Sequence, residues 1–128
     1  MRYLILVLAA YLTLLPGATA GTFEARVTVY WRHGSGTDSW TQQGQSASGL
    51  ELRKGVCAVD PKVIPYGSQV KVCGMTLVAV DTGSDVIKRT ASKKLGSNDP
   101  VVDVYFDHKR EAEQFAATHP HFMLVTVN

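Results

Sequence analysis

From Ala25 onward the apolar residues come in short runs set between Gly, Pro and Ser, and three runs carry an aspartate: CAVD (57–60), VAVD (78–81) and VVDV (101–104). Runs this short, rich in Val and bounded by turn residues, are strand material. Ala25, Val27 and Val29 alternate with Arg26, Thr28 and Tyr30, the pattern of a half-buried strand. Val70 and Val72 alternate with Gln69, Lys71 and Cys73, while 75–80 is almost wholly apolar, as in a strand covered on both faces. With 56–59, 101–106 and 123–127, six strands are expected. One helix is predicted: Asp107 caps it, Ala112, Phe115, Ala116 and His119 fall at i, i+3, i+4, i+7, and Pro120 stops it. The stretch 32–49 reads as polar, glycine-rich loop with Trp40 its one bulky apolar residue. The fold class is therefore mainly β, a small closed barrel of six strands with a helix before the last strand.

At 128 residues, 45% hydrophobic, the chain has material for one domain and is too apolar to remain disordered. A net charge of +2 without a dense basic stripe argues against a nucleic-acid partner. Residues 1–20 read as an export signal: Met1-Arg2, an uncharged core YLILVLAAYLTLL (3–15), then Pro16-Gly17 and the small-x-small Ala18-Thr19-Ala20. The core is short for a bilayer span, so cleavage after Ala20 is expected, leaving 21–128 as the exported domain; an uncleaved anchor is the alternative. In an oxidising compartment Cys57 and Cys73 could form a disulfide enclosing 15 residues, stabilising by about 3 kcal/mol through loop closure. Two buried thiols are the other reading.

The aspartates are the candidate chemistry. Asp60 precedes Pro61, where an aspartate bonds its own turn. Asp103 has apolar neighbours on both faces of its strand, which places its carboxyl against the barrel or in a cleft, and a carboxylate there is costly without partners. Three chemistries compete. A metal site is not expected: there is no close D-x-D-x-D loop, and His108, His119 and His121 lack ligand spacing. Val80-Asp81-Thr82-Gly83 matches the D-T-G of aspartic proteases, whose halves share a carboxylate dyad, but the apolar pair and glycine that brace that loop are missing downstream. Glycan cleavage needs a carboxyl kept protonated by burial or by a second carboxylate, and Asp103 beside Asp81 would supply both.

The ordered set VTVYW (27–31), GTDSWT (36–41), SASG (46–49), AVDP (58–61), IPYGS (64–68), AVDTG (79–83) and VDVYF (102–106) resembles the three-aspartate ("3D") domain across nearly all of the expected exported chain. That family is a six-stranded double-psi β-barrel, similar to the barrel of membrane-bound lytic transglycosylase A and more distantly to rare lipoprotein A and expansins. The resemblance implies a protein of the periplasm, outer membrane or cell wall. It would act on peptidoglycan glycan strands, as a monomer, with no cofactor and no membrane span after cleavage. By motif, Asp103 is the catalytic acid and base and Asp81 supports it. Asp60 falls on the substrate side of the motif, though more structural in character. A single carboxyl can serve both proton transfers, because the muramoyl unit's own hydroxymethyl group is the nucleophile. Tyr30, Trp31, Trp40 and Tyr66 could stack on sugars or serve the core, and Thr82, Gly83 and Ser84 could donate to substrate. Two departures stand out. The connection 86–100 is longer than in the transglycosylases, with a short helix expected at 90–95, and no second groove-forming domain is seen. A wall-binding or wall-loosening module of the expansin type is thus the alternative function.

Overall fold

A computed structural model describes residues 20–33 and 37–128. The expected leader, except Ala20, lies outside the described residues. The elements run β1 (Gly21–Trp31), α1 (Ser39–Gln42), β2 (Val56–Ala58), β3 (Gln69–Val72), β4 (Met75–Asp81), α2 (Ser84–Ile87), α3 (Thr90–Lys93), β5 (Val101–Phe106), α4 (Lys109–Thr118) and β6 (Phe122–Val127).

The six strands close into one mixed barrel in the order β1-β5-β2-β4-β3-β6. β1 runs parallel to β5, and β2 parallel to β4; the other neighbours are antiparallel. Closure leaves no strand edge unpaired. The two-residue side-chain period sorts the chain. Ala25, Val27, Cys57, Ala79, Val102, Val104, Val125 and Val127 fill the barrel interior. Arg26, Thr28 and Tyr30 alternate with the inward residues of β1 and take its outer face.

That outer face is itself covered on one side. Leu52, Val56, Val80 and Tyr105 form one outer cluster, and Ala58, Val86 and Val101 a second; Tyr30 packs against both. The covering segments are the connection 43–55 and the segment 82–100. Within the second, Ser92 is fully buried and its hydroxyl donates to the Asp99 carbonyl at 2.7 Å, which staples α3 beside the start of β5. The short helix expected at 90–95 is α3; α2 precedes it.

The helix before the last strand is α4. Ala112 is fully buried, and the Phe115 ring meets Phe106 at 5.4 Å and stacks on His119 at 4.0 Å. Its cap lies one residue later than predicted, at His108, and makes no side-chain capping bond. The loop expected over 32–49 contains one helical turn, α1, because Asp38 Oδ1 accepts the Thr41 N–H at 2.8 Å.

The expected disulfide is corrected: both thiols are free. Cys57 points into the barrel interior opposite Ala79 of β4, whereas Cys73 is exposed in the turn beyond Met75. Four residues of extended strand, about 14 Å, separate Ala79 from Met75, well beyond bridging reach. Cys73 (φ 51°) and Gly74 (φ 75°) both lie in the left-handed region, as a tight two-residue hairpin turn requires. Burial, aided by the Asp103 charge, pushes the Cys57 thiol up to about 12. One thiol, Cys73, is therefore expected to react with an aromatic disulfide reagent in the native protein, and Cys57 only on unfolding. Unfolded, unreduced protein with no reactive thiol would restore the bridge.

Among the described residues no helix is long and apolar enough to cross a membrane.

Candidate active site

Register builds the site. Thr28 of β1 pairs with Asp103 of β5, Asp103 with Ala58 of β2, and Ala58 with Asp81 of β4. Four neighbouring strands thus carry Thr28, Asp103, Ala58 and Asp81 in one row. Two strand spacings, about 10 Å, separate the Cα atoms of the two aspartates, and between them stands only the methyl group of Ala58.

Asp81 belongs to this row because of a β-bulge. The β2–β4 register shifts between Cys57, opposite Ala79, and Ala58, opposite Asp81, so Val80 is the extra residue. Strict alternation would point Asp81 into the barrel with Ala79. Val80 already faces the outer cluster by alternation, and the bulge re-aims Asp81 to that same face.

The two carboxyls are held differently. Asp81 is 6% exposed, and both its oxygens are occupied. Oδ1 accepts the Ala47 N–H at 2.8 Å, and Oδ2 accepts the Tyr30 hydroxyl at 3.0 Å. The SASG segment (46–49) is clamped over the end of β4 by this bond and by Ser48 N–H to the Val80 carbonyl at 3.1 Å. Asp103 is half-buried, and its Oδ1 accepts the Thr28 hydroxyl at 2.9 Å. Burial pushes the Asp103 carboxyl up to about 7; the Thr28 hydrogen bond pulls it back, the Asp81 charge raises it and the Arg26 charge lowers it. The carboxyl end of the side chain is densely surrounded, which is why desolvation dominates. The pair is asymmetric: one carboxylate with two donors, one acid poised to carry a proton near neutral pH.

Tyr30 links them. Its ring meets Tyr105 edge-on at 5.4 Å and fills the outer face beside Ala58. Burial raises its phenol first, and the charges of Asp81 and then Asp103 add to that, so it stays a protonated donor. Tyr30 is thus a hydrogen-bond donor to Asp81 and not the free stacking surface expected of it.

The remaining expected residues divide. An open cleft of about 350 Å³ is lined by Trp40, Asp38, Ala47, Asp81 and Thr82, among others. Trp40 is 62% exposed on its rim, a flat apolar surface available to a ligand. Thr82 Oγ1 is shielded from solvent and meets no partner in hydrogen-bond geometry among the described residues, although the Tyr66 hydroxyl comes close to it. Burial, with the nearby charges of Asp81 and Asp60, raises the Tyr66 phenol, which places Tyr66 at the same end of the barrel. Gly83 is the residue before α2; its backbone is extended (φ −169°) and a Cβ there would meet nothing within 4 Å.

Trp31 is not at the site: it packs against the barrel core, because it shares the inward face of β1 with Ala25, Val27 and Val29. Asp60 closes its own turn. Its Oδ1 accepts the Lys62 N–H at 3.0 Å, and its carbonyl accepts from Val63 and Ile64. The cleft touches Asp81 but not Asp103, which lies two strands away under Tyr30.

Thr28, Arg26 and the Ala47 amide were not among the residues expected at the site. The first two could have been found by alternation, since Arg26, Thr28 and Tyr30 share a face; the Ala47 contact spans 34 residues and has no local signal. Among the described residues no group of three or more His, Cys, Asp or Glu side chains could hold a metal ion. No protein-family model matches the chain, and no curated protein sequence matches it either.

Proposed function

We propose that this protein is an exported, peptidoglycan-active domain that cleaves the glycosidic bond of murein strands, with Asp103 as the acid and base. The observation that carries this reading is a carboxyl raised to about 7 on the outer barrel face, in register with a buried, doubly hydrogen-bonded carboxylate. A general acid works best with a pKa near the working pH. The closed six-stranded mixed barrel is consistent with the double-psi barrel of the three-aspartate domain that the sequence resembles, and the three motif aspartates lie at or beside one end of β2 and β4 and within β5.

In this mechanism Asp103 gives its proton to the bridging oxygen between a muramoyl and a glucosaminyl unit. The resulting carboxylate then takes the proton of the muramoyl unit's hydroxymethyl group, whose oxygen closes an anhydro ring. The Asp81 charge beside Asp103 favours the protonated starting form, while Trp40 offers a stacking surface for a neighbouring sugar. Purified sacculi incubated with the mature chain are expected to release soluble fragments with anhydro-muramoyl ends, read by mass spectrometry. Fragments with reducing ends would make the reaction hydrolysis, and no soluble product would remove the catalytic reading.

One observation favours a second reading, a wall-binding module without turnover: the cleft beside Trp40 is lined by Asp81 and Thr82 but not by Asp103. Retention on sacculi without product, unchanged in Asp103→Asn, is its signature. The dimeric aspartic-protease alternative draws less support. A dyad carboxylate must face a partner across a two-fold axis, and Asp81 is buried with both oxygens engaged.

A further inference from the structure

On the far side of Asp103 from the Trp40 cleft lies a second recess, of about 340 Å³, between β1, α3 and the entry to β6. Arg26, Lys94 and His121 line it, with Asp85 and Thr90 on the α2–α3 wall. Arg26 sits on the outer face of β1, two residues before Thr28, and pairs with Val101, two residues before Asp103. Asp103 therefore stands between two openings: the Asp81 cleft two strands to one side, and Arg26 one strand to the other. The wall carrying Lys94 belongs to the long connection after Asp81.

Arg26 is half-buried and incompletely satisfied. Its Nη1 donates to the Val27 carbonyl at 2.6 Å and to the His121 carbonyl at 3.4 Å. Its Nε is shielded from solvent and has no acceptor among the described residues. The ion pair found among the described residues is Lys109–Glu113, on α4, and no carboxylate lies within salt-bridge distance of Arg26 or Lys94. A guanidinium presents five donors in a fork that fits a carboxylate with two parallel hydrogen bonds. A buried donor left without an acceptor is costly, and a carboxylate accepting from the guanidinium offsets that cost. Among the described residues Asp85 is the one acid lining the recess, beside Arg26 and Lys94, and its Oδ1 already accepts the Thr90 hydroxyl at 3.0 Å.

We propose that the Arg26–Lys94–His121 recess binds a carboxylate carried by the glycan substrate, and so selects which sugar lies on that side of Asp103. The proposal rests on the glycan reading above. In a murein strand the carboxyl-bearing sugar is the muramoyl unit, through its lactyl group where that is free and through the carboxylates of the attached peptide where it is amidated. Binding there would set the direction of the strand across Asp103, with the uncharged sugar directed to the exposed Trp40 ring.

Arginine Nε–H signals of the ¹⁵N-labelled mature chain test this, since the shielded Arg26 Nε–H is protected from exchange with water. Four probes are titrated: N-acetylmuramoyl dipeptide, the same compound with its carboxylates converted to amides, chitotriose, and N-acetyl-D-alanine. The acidic muramoyl dipeptide is expected to move the Arg26 signal and to bind about tenfold more tightly than its amide, the scale of one charge-assisted hydrogen bond. Lys94→Gln, at an exposed position, is expected to erase most of that difference without altering chitotriose binding; Arg26→Gln is expected to erase it fully. An Arg26 signal unmoved by saturating acidic dipeptide, or equal affinity for acid and amide, overturns the proposal. If chitotriose perturbs Trp40 while no carboxylate moves Arg26, the glycan reading stands and the recess falls. If N-acetyl-D-alanine moves Arg26 while neither sugar binds, the recess is a carboxylate site and the glycan reading falls.

Discussion

Asp103→Asn is expected to release no anhydro-muramoyl ends from sacculi and yet, at pH 8, to melt at a higher temperature than the parent chain. Asparagine keeps the shape of the side chain and an oxygen for the Thr28 hydroxyl, but it cannot act as an acid. Loss of a general acid removes about 10²–10⁴ in rate. The stability effect follows from the raised carboxyl. Folded, Asp103 titrates near 7, against an ordinary 3.8. Between those values the folded chain holds a proton that the unfolded chain has released. Stability is therefore greatest below about pH 4, falls as pH rises, and reaches its full penalty above about 7. Three pH units correspond to an upper limit of about 4 kcal/mol. The variant never ionises and escapes that penalty. Thermal unfolding across pH 4 to 8 should show the two proteins alike at the acid end and the variant several degrees more stable at the alkaline end. Parallel melting curves at every pH would mean that the carboxyl is solvated, and the acid role would go with it. Greater stability combined with lost activity is the pattern of a site held in a strained electrostatic state for function.

Tyr30→Phe is expected to weaken the fold by about 1.5–3 kcal/mol, the worth of a hydrogen bond to a charged group. The phenylalanine ring can keep the edge-on contact with Tyr105 and the packing against Val86 and Val101. What it loses is the donor to Asp81 Oδ2, leaving a buried carboxylate with the Ala47 N–H alone. A double-mutant cycle with Asp81→Asn isolates that bond. The coupling should account for most of the single-variant loss. Additive variants would mean that the Tyr30 hydroxyl contributes nothing through Asp81. The activity of Tyr30→Phe should fall mainly in kcat, since the hydroxyl touches Asp81 and not the sugar; a change confined to KM would return Tyr30 to a substrate-contact role.

The relation between the two aspartates illustrates why a strand protein can hide its site. Both lie in apolar runs that announce strands, and both were legible as candidates for that reason. Their meeting depends on pairing across 22 residues through a third strand, with only Ala58 between. Ala58 carries no chemistry of its own. Its small side chain nonetheless leaves room for the Tyr30 ring that packs against it. A larger residue there would push the Tyr30 ring away from Asp81, at the usual cost of overfilled packing.

The cysteines show the opposite case, where chain spacing suggested proximity that the fold does not provide. The enclosed loop has a suitable length, but its ends are an inward strand residue and an exposed hairpin tip. Loop length measures entropy, whereas bridging depends on position and direction in space.

The sequence by itself determined the six strand segments, the helix before the last strand, the Asp60 turn and the set of aspartates. These follow from local rules, namely a two-residue alternation, a 3.6-residue periodicity, and side chains that bond their own backbone. Only the tertiary structure decided that a bulge at Val80 turns Asp81 outward, that Tyr30 serves Asp81, that Trp31 belongs to the core, and that Arg26 faces a recess beside Asp103. Each of these depends on which strand lies next to which and in what register. That choice is made by the closure of the whole barrel, and no short stretch of residues carries it.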